Sequence, residues 1–177
     1  MSSSETFSGP PHILSVAGFH GVYEKYARDI HRFAWYLSGD RAVADDVTSE
    51  TFIRMWMSPE PVRFATVKAY LLAIARNLYL MERRRCSRQA VLDRDWADSD
   101  RDVGRDVEAK EELERVMRAL QAFPEVDRAA VLMRALEGLS YEEIAVALKL
   151  PLATVKVKVH RARLKLAEVR GGSKLCT

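Results

Sequence analysis

The chain has 177 residues, enough for one mid-sized domain or two small ones and too few for a barrel enzyme. Hydrophobic residues make up 48% and charged residues 30%, while Gly (8) and Pro (6) are sparse, so the chain should fold, and mostly as helices. The formal net charge is only +3, two cysteines make a disulfide framework unsuitable, and no apolar run approaches the ~20 residues of a membrane helix.

Residues 1–17 read as a disordered tail, Ser-rich and interrupted by Pro10-Pro11. The stretch Met1 to Ser8 has neither the basic start nor the apolar core of a secretory signal, so a cytosolic or nuclear location is expected. Phe19, Val22, Tyr23, Tyr26, Ile30, Phe33 and Leu37 recur at steps of three and four, which predicts an amphipathic helix ending near Gly39. A second helix is expected from about Arg41 to Met57, with Val43, Val47 and Met55 on its apolar side and Phe52 and Trp56 at the margin. Ser58-Pro59-Glu60-Pro61 breaks it. A third helix, about Thr66 to Arg85, is carried by Val67, Tyr70, Leu71, Ile74, Leu78 and Met81. Residues 18–86 thus form one three-helix module.

Residues 87–108 lack sustained periodicity and read as a flexible acidic linker, in which Trp96 is the large apolar exception. The second module, 109–170, opens with a helix marked by Leu113, Val116, Met117 and Leu120. Pro124 suits the first turn of the next helix, which carries Ala130, Val131, Met133 and Leu136 and stops at Gly138. Ser140 and Glu143 have capping-box spacing, with Ile144, Ala145 and Leu148 on the buried side of the short helix that follows. Leu150-Pro151 turns the chain into a last helix from about Leu152 to Glu168, before a tail at 171–177. The expected fold class is all-α, two small helical domains joined by that linker.

Charge is blocked along the chain. Arg76 to Arg88 holds five arginines against Glu82, a net of +4. Asp93 to Glu114 holds ten acids against four bases, and Pro151 to Lys174 holds seven bases against Glu168. Two basic helices flanking an acidic linker point to a polyanionic partner, although each block alone could be a solvated surface.

A short capped helix, a three-to-four-residue turn and a longer basic helix fit a helix-turn-helix. At 100° per residue, Val155, Val159, Ala162 and Leu166 fall on one packing stripe of the last helix. The opposite side presents Ala153, Thr154, Val157, His160, Arg161 and Leu164, with Lys156 and Arg163 along one edge and Lys158 and Lys165 along the other. Cations on both edges match the phosphate walls of a major groove, and small residues between them can reach base edges. A membrane surface or partner protein could also take such a helix; the capping box and turn before it favour DNA.

Two further surfaces lie on the first module. Asp46, Ser49, Glu50 and Ile53 form a stripe on the second helix, acids around an apolar residue, which suits a basic protein partner or a plain solvated face. On the third helix, Thr66, Ala69, Ala73, Asn77, Leu80 and Arg84 share one side, and Arg76, Arg83 and Arg85 extend its charge. Small residues there would let nucleic acid approach the backbone; alternatively the arginines simply complement the helix macrodipole.

The two modules, in this order, resemble an extracytoplasmic-function sigma factor of the bacterial sigma-70 family. The first resembles sigma domain 2 through the stretches Ala44 to Trp56 and Ala69 to Leu78. The second resembles sigma domain 4 through Glu137 to Ala145, Thr154-Val155-Lys156 and His160-Arg161-Ala162-Arg163. The likeness covers about residues 18–170. It implies that Asp46, Ser49, Glu50 and Ile53 bind core RNA polymerase. It implies that Lys68, Tyr70, Ala73, Arg76, Asn77, Arg83 and Arg84, with the loop Ser58 to Ala65, meet the promoter −10 element. Ala153, Thr154, Lys156, Val157, Lys158, His160, Arg161, Arg163 and Lys165 would meet the −35 element. An anti-sigma factor as a further partner, and a bacterial cytoplasmic location, follow from the same likeness.

The chain departs from the family at Ser49 (usually Gln), Tyr70 (Trp), Lys149 (Gly), Ala153 (Gly) and Val157 (Ser). A lysine at the turn position 149 would take a positive φ at modest cost. Scattered histidines and cysteines give no metal-ligand spacing, no phosphate loop or nucleophile motif occurs, and neither a cofactor nor catalysis is expected. Cys86 borders the arginine cluster, which could lower its pKa. A conventional helix-turn-helix regulator is the alternative reading.

Overall fold

The computed structural model describes residues 16–57, 65–89 and 107–171. Those residues form seven helices and no strand: α1 (Val16–Ser38), α2 (Arg41–Met57), α3 (Val67–Gln89), α4 (Val107–Gln121), α5 (Glu125–Ala135), α6 (Tyr141–Leu148) and α7 (Leu152–Gly171). The tail before Val16, the loop 58–64, residues 90–106 with Trp96, and the last six residues with Cys176 lie outside the described residues.

Helices α1, α2 and α3 pack mutually around Ile30, Phe33, Leu37, Leu71 and Leu72, all fully buried. Truncating one such side chain, Phe33→Ala, costs about 3–5 kcal/mol. An aromatic cluster closes one end. Phe19 meets Trp56 edge-on at 5.0 Å between ring centres, and Tyr23 meets Phe52 at 4.8 Å. α1 begins three residues earlier than its apolar pattern, at Val16. It ends at Gly39, whose φ of +80° only glycine adopts cheaply.

Helix α2 has the expected limits but a different buried face. Ala44, Val47, Thr48, Thr51, Phe52 and Met55 are inside, Val43 is half-buried, and Trp56 is exposed. The two threonines return their hydroxyls to the Ala44 and Val47 carbonyls at 2.6 Å each, so neither buried hydroxyl goes unpaired. On α3, Met81 is half-exposed rather than in the core, while Ala69, Ala75 and Tyr79 are inside. Thr66 caps this helix by accepting from the Ala69 amide, and α3 runs on to Gln89, into the expected linker.

The second module forms around Val131, Met133, Ile144, Val155 and Val159. Pro124 is the N-cap of α5 rather than its first helical residue. The capping box of α6 forms as expected: Ser140 Oγ accepts from the Glu143 amide at 3.1 Å, and Glu143 Oε2 accepts from the Ser140 amide at 2.8 Å. Lys149 ends α6 in the left-handed region, with φ 55° and ψ 47°. Leu150 and Pro151 then deliver α7.

The modules are docked on each other. α1 packs on α4 and α5, α3 packs on α6, and the buried apolar residues form one contiguous cluster. Gln121 donates from Nε2 to the Tyr36 carbonyl at 3.0 Å, and its Oε1 accepts from Arg128.

Candidate nucleic-acid interface

Helix α7 turns its apolar stripe inward. Val155 and Val159 are fully buried, Ala162 nearly so, and Leu166 is half-buried. Ala153, Val157, His160, Arg161 and Leu164 therefore stand on the open side, Thr154 half-buried beside them, and Lys156, Arg163 and Lys165 are exposed along the edges. Val157 shows 47% of its surface and can meet a thymine methyl. Lys158 differs from the other cations of this helix. It is half-buried and paired with Asp127 of α5, so it also ties α7 to its own module. Lys165 also lies over the Phe123 ring, 5.7 Å from its centre. The three-residue turn and the capping box fix the angle between α6 and α7, which aims this face.

The face expected on α3 is divided. Its C-terminal half is open: Asn77, Arg83 and Arg84 are exposed, and Arg83, Arg84, Ser87 and Arg88 line an open cleft. Ser87 and Arg88 belong to this surface rather than to the linker. The N-terminal half is covered by the second module. Arg76 makes a two-pronged pair with Glu125 of α5, Nε to Oε1 at 2.6 Å and Nη2 to Oε2 at 2.8 Å, with both side chains about nine-tenths buried. Lys68 lies 2.8 Å from Asp29 Oδ2 and 2.8 Å from Glu137 Oε2, the latter as an ion contact outside good hydrogen-bond alignment. Arg32 donates to the other Glu137 oxygen at 3.0 Å. Thr66 donates to Glu143 Oε1 at 2.7 Å. Ala73 is 5% exposed, and Tyr70 is half-buried. In this arrangement Lys68 and Arg76 pair with carboxylates of the second module, and Ala73 is buried.

Electrostatics follows the geometry. Burial opposes the charge on Lys68, but the close Asp29 and Glu137 carboxylates outweigh it and hold its pKa above the ordinary lysine value. Burial likewise opposes the Glu143 carboxylate; hydrogen bonds from Ser140 and Thr66 outweigh it and hold its pKa down. Arg128 is 4% exposed, and burial lowers its pKa. It donates to Tyr79 of α3 at 3.1 Å, while its Nε has no partner. Arg128, Glu125 and Glu137 were invisible as interface residues in the sequence. The only available signal was charge set directly against the apolar run of α5.

On α2, Asp46, Ser49 and Ile53 are exposed, and Ile53 shows 51% of its surface. Glu50 is half-buried and paired with Arg54 at 2.8 Å. Cys86 departs from expectation. Its thiol donates to Glu82 at 3.4 Å, and that bond, then slight burial, raises its pKa despite the neighbouring arginines. The thiolate needed for redox chemistry is thereby disfavoured.

Comparison with known proteins matches this architecture in two places. Sigma-70 region 2 matches residues 22–89, the α1–α3 module, and sigma-70 region 4 matches residues 113–166, from α4 into α7. The ECF RNA polymerase sigma factor SigL of Mycobacterium tuberculosis is 30% identical over 156 residues, covering 84% of this chain and 88% of SigL. SigE of Mycolicibacterium smegmatis is 34% identical over 161 residues, covering 83% of this chain and 59% of the relative's own length. The chain belongs to the ECF RNA polymerase sigma factors. Among solved structures, sigma factor RpoE of Bartonella quintana, bound to the anti-sigma factor NepR, has the same fold. Its TM-score is 0.73 at 22% identity, covering 92% of this chain and all of that one. CnrH, bound to the cytosolic domain of CnrY, gives 0.65 at 22% identity, covering 92% and 93%.

Proposed function

We propose that this chain is the promoter-specificity subunit of a bacterial RNA polymerase: it joins core enzyme, directs it to −10 and −35 elements, and so starts transcription. The observation that carries this reading is the pairing, in one chain, of a region-2 module with an exposed α2 stripe and a region-4 helix-turn-helix whose basic α7 face is open. In this reading Asp46, Ser49, Glu50 and Ile53 dock on core polymerase. Tyr70, Asn77, Arg83 and Arg84, joined by Lys68, Ala73 and Arg76 once uncovered, take the −10 strand. Ala153, Thr154, Lys156, Val157, Lys158, His160, Arg161, Arg163 and Lys165 take the −35 duplex. Residues 18–86 and 109–170 act as the two working units.

The chain has no catalytic role of its own and acts in the cytoplasm. Among the described residues no helix is long and apolar enough to cross a membrane. An anti-sigma factor is a fitting partner, since RpoE was solved with one. The test is run-off transcription from a genomic promoter library, with core polymerase alone and with added chain. New chain-dependent transcripts are expected. Their absence, with tight duplex binding by the free chain, would favour the conventional regulator instead.

A further inference from the structure

The open end of α3 carries a hydroxyl among guanidiniums. Ser87 is exposed in the last turn of the helix, which ends at Gln89. Arg84 stands three residues before it and Arg83 four, so both share its face of the helix. Arg88 folds back along the same surface, its Nε donating to the Arg84 carbonyl at 3.3 Å. These four residues line one open cleft, and no carboxylate among the described residues lines it with them. The acid nearest in sequence, Glu82, is engaged elsewhere, by Arg85 at 2.8 Å and by the Cys86 thiol at 3.4 Å. Three cations thus share a cleft with a hydroxyl and with no anion of the cleft's own. The local sequence is a second, independent observation. Arg84-Arg85 places arginine three and two residues before Ser87, and no other serine or threonine of the chain has both. A kinase with an acidic peptide groove selects its serine by that charge pattern.

We propose that Ser87 is a phosphorylation site for an arginine-directed serine kinase, and that the phosphate, once added, is clasped by Arg83, Arg84 and Arg88. The γ-phosphoryl group passes from ATP to Ser87 Oγ. The Oγ–P bond forms, the bond from the γ-phosphorus to its bridging oxygen breaks, ADP leaves, and the hydroxyl proton goes to the base of the kinase. The kinase needs the chain to unwind around Ser87, and the last turn is the part of a helix that frays most readily. A phosphoserine carries about −1.5 to −2 charges and three strong acceptor oxygens. The negative end of the helix opposes such a group, and three adjacent guanidiniums outweigh that opposition. The clasp takes from α3 the cations that the structure leaves open. In its effect the proposal rests on the reading of α3 as the −10 face. It makes Ser87 the off-switch of that face, because the phosphorylated chain holds its own anion where the phosphates of a strand would lie.

The experiment uses the full chain. Wild type, Ser87→Ala and Arg83→Gln with Arg88→Gln are checked for helicity by circular dichroism. Each is then treated with the catalytic subunit of cyclic-AMP-dependent protein kinase and magnesium ATP. The double arginine variant keeps Arg84-Arg85, so the kinase still reads it. Mass spectrometry should find close to one phosphate per chain, on Ser87, and none in Ser87→Ala. A phosphorus-31 titration should put the second ionisation of the wild-type phosphate below its ordinary value of about 6, and the double arginine variant should return it toward that value. Fluorescence anisotropy with a labelled 20-nucleotide single-stranded DNA pool of random sequence should show phosphorylated wild type binding about fivefold more weakly or worse, with a shallower salt dependence. No incorporation at Ser87, or equal incorporation into Ser87→Ala, overturns the modification site. An ordinary ionisation in wild type, unmoved by the arginine substitutions, overturns the clasp. A clasped phosphate that leaves strand binding unchanged overturns the switch and, with it, the assignment of α3 as the strand-binding face.

Discussion

Helices α3 and α7 carry similar cations and meet opposite fates. On α7 the charges flank an apolar stripe that is satisfied within its own module, so Arg161 and Arg163 remain exposed. On α3 the cations of the first half lie where another module arrives, and they are consumed by Glu125 and Glu137. A basic helix is therefore a nucleic-acid surface only in the arrangement that leaves it open. What separates the two is not composition but the presence of carboxylates on the facing element.

The largest effect that breaks this comparison should come from Glu137→Ala. Its side chain has no exposed surface, and its loss leaves Lys68 and Arg32 to share the single carboxylate of Asp29. Removing one partner of a buried pair costs about 3–5 kcal/mol, and the lower end applies because both cations keep some water contact. A fall in Tm of roughly 6–12 °C by calorimetry is expected. Arg161→Ala on α7 should do the reverse. Stability stays within about 0.5 kcal/mol, while affinity for a −35 duplex falls by about 1–3 kcal/mol in an anisotropy titration. Equal stability losses at both positions would erase the distinction drawn here.

A smaller effect is pH-dependent. Folding holds the Glu143 carboxyl below its ordinary value of 4.5. Its contribution is therefore present above about pH 4.5 and is lost as the pH falls further. The difference in Tm between wild type and Glu143→Gln should shrink from pH 6 to pH 3. The smallest effect sharpens the α7 side. Lys149→Gly relieves a left-handed lysine and should stabilise by up to about 1 kcal/mol, with duplex binding unchanged.

The features legible in the sequence are those decided within one turn of helix. The limits of α2, the Ser140–Glu143 box and the stripe Val155, Val159, Ala162 all depend on residues within a few positions of each other, while the positive φ of Lys149 followed from the family resemblance. The features missed depend on distant partners. Lys68 and Glu137 lie 69 positions apart, and Arg76 and Glu125 lie 49 apart; neither local pattern names the other. Periodicity also assigned Met81 to the core and left out Thr48 and Thr51, because it weighs polarity and cannot see a hydroxyl satisfied by its own helix. For Lys158, charge alone predicts exposure, and Asp127 on another helix makes it half-buried.

Gly39 has one more consequence. A Cβ there would stand 3.1 Å from Gln121 Cδ, and Gln121 is pinned on one side by the Tyr36 carbonyl and on the other by Arg128. The glycine is the notch of a keyway, and Gln121 is the key. It indexes the second module against the end of α1, and through Arg128 to Tyr79 the same setting reaches α3. A methyl group at position 39 would press on that key and oblige Gln121 to give by a few tenths of an ångström against both of its hydrogen bonds.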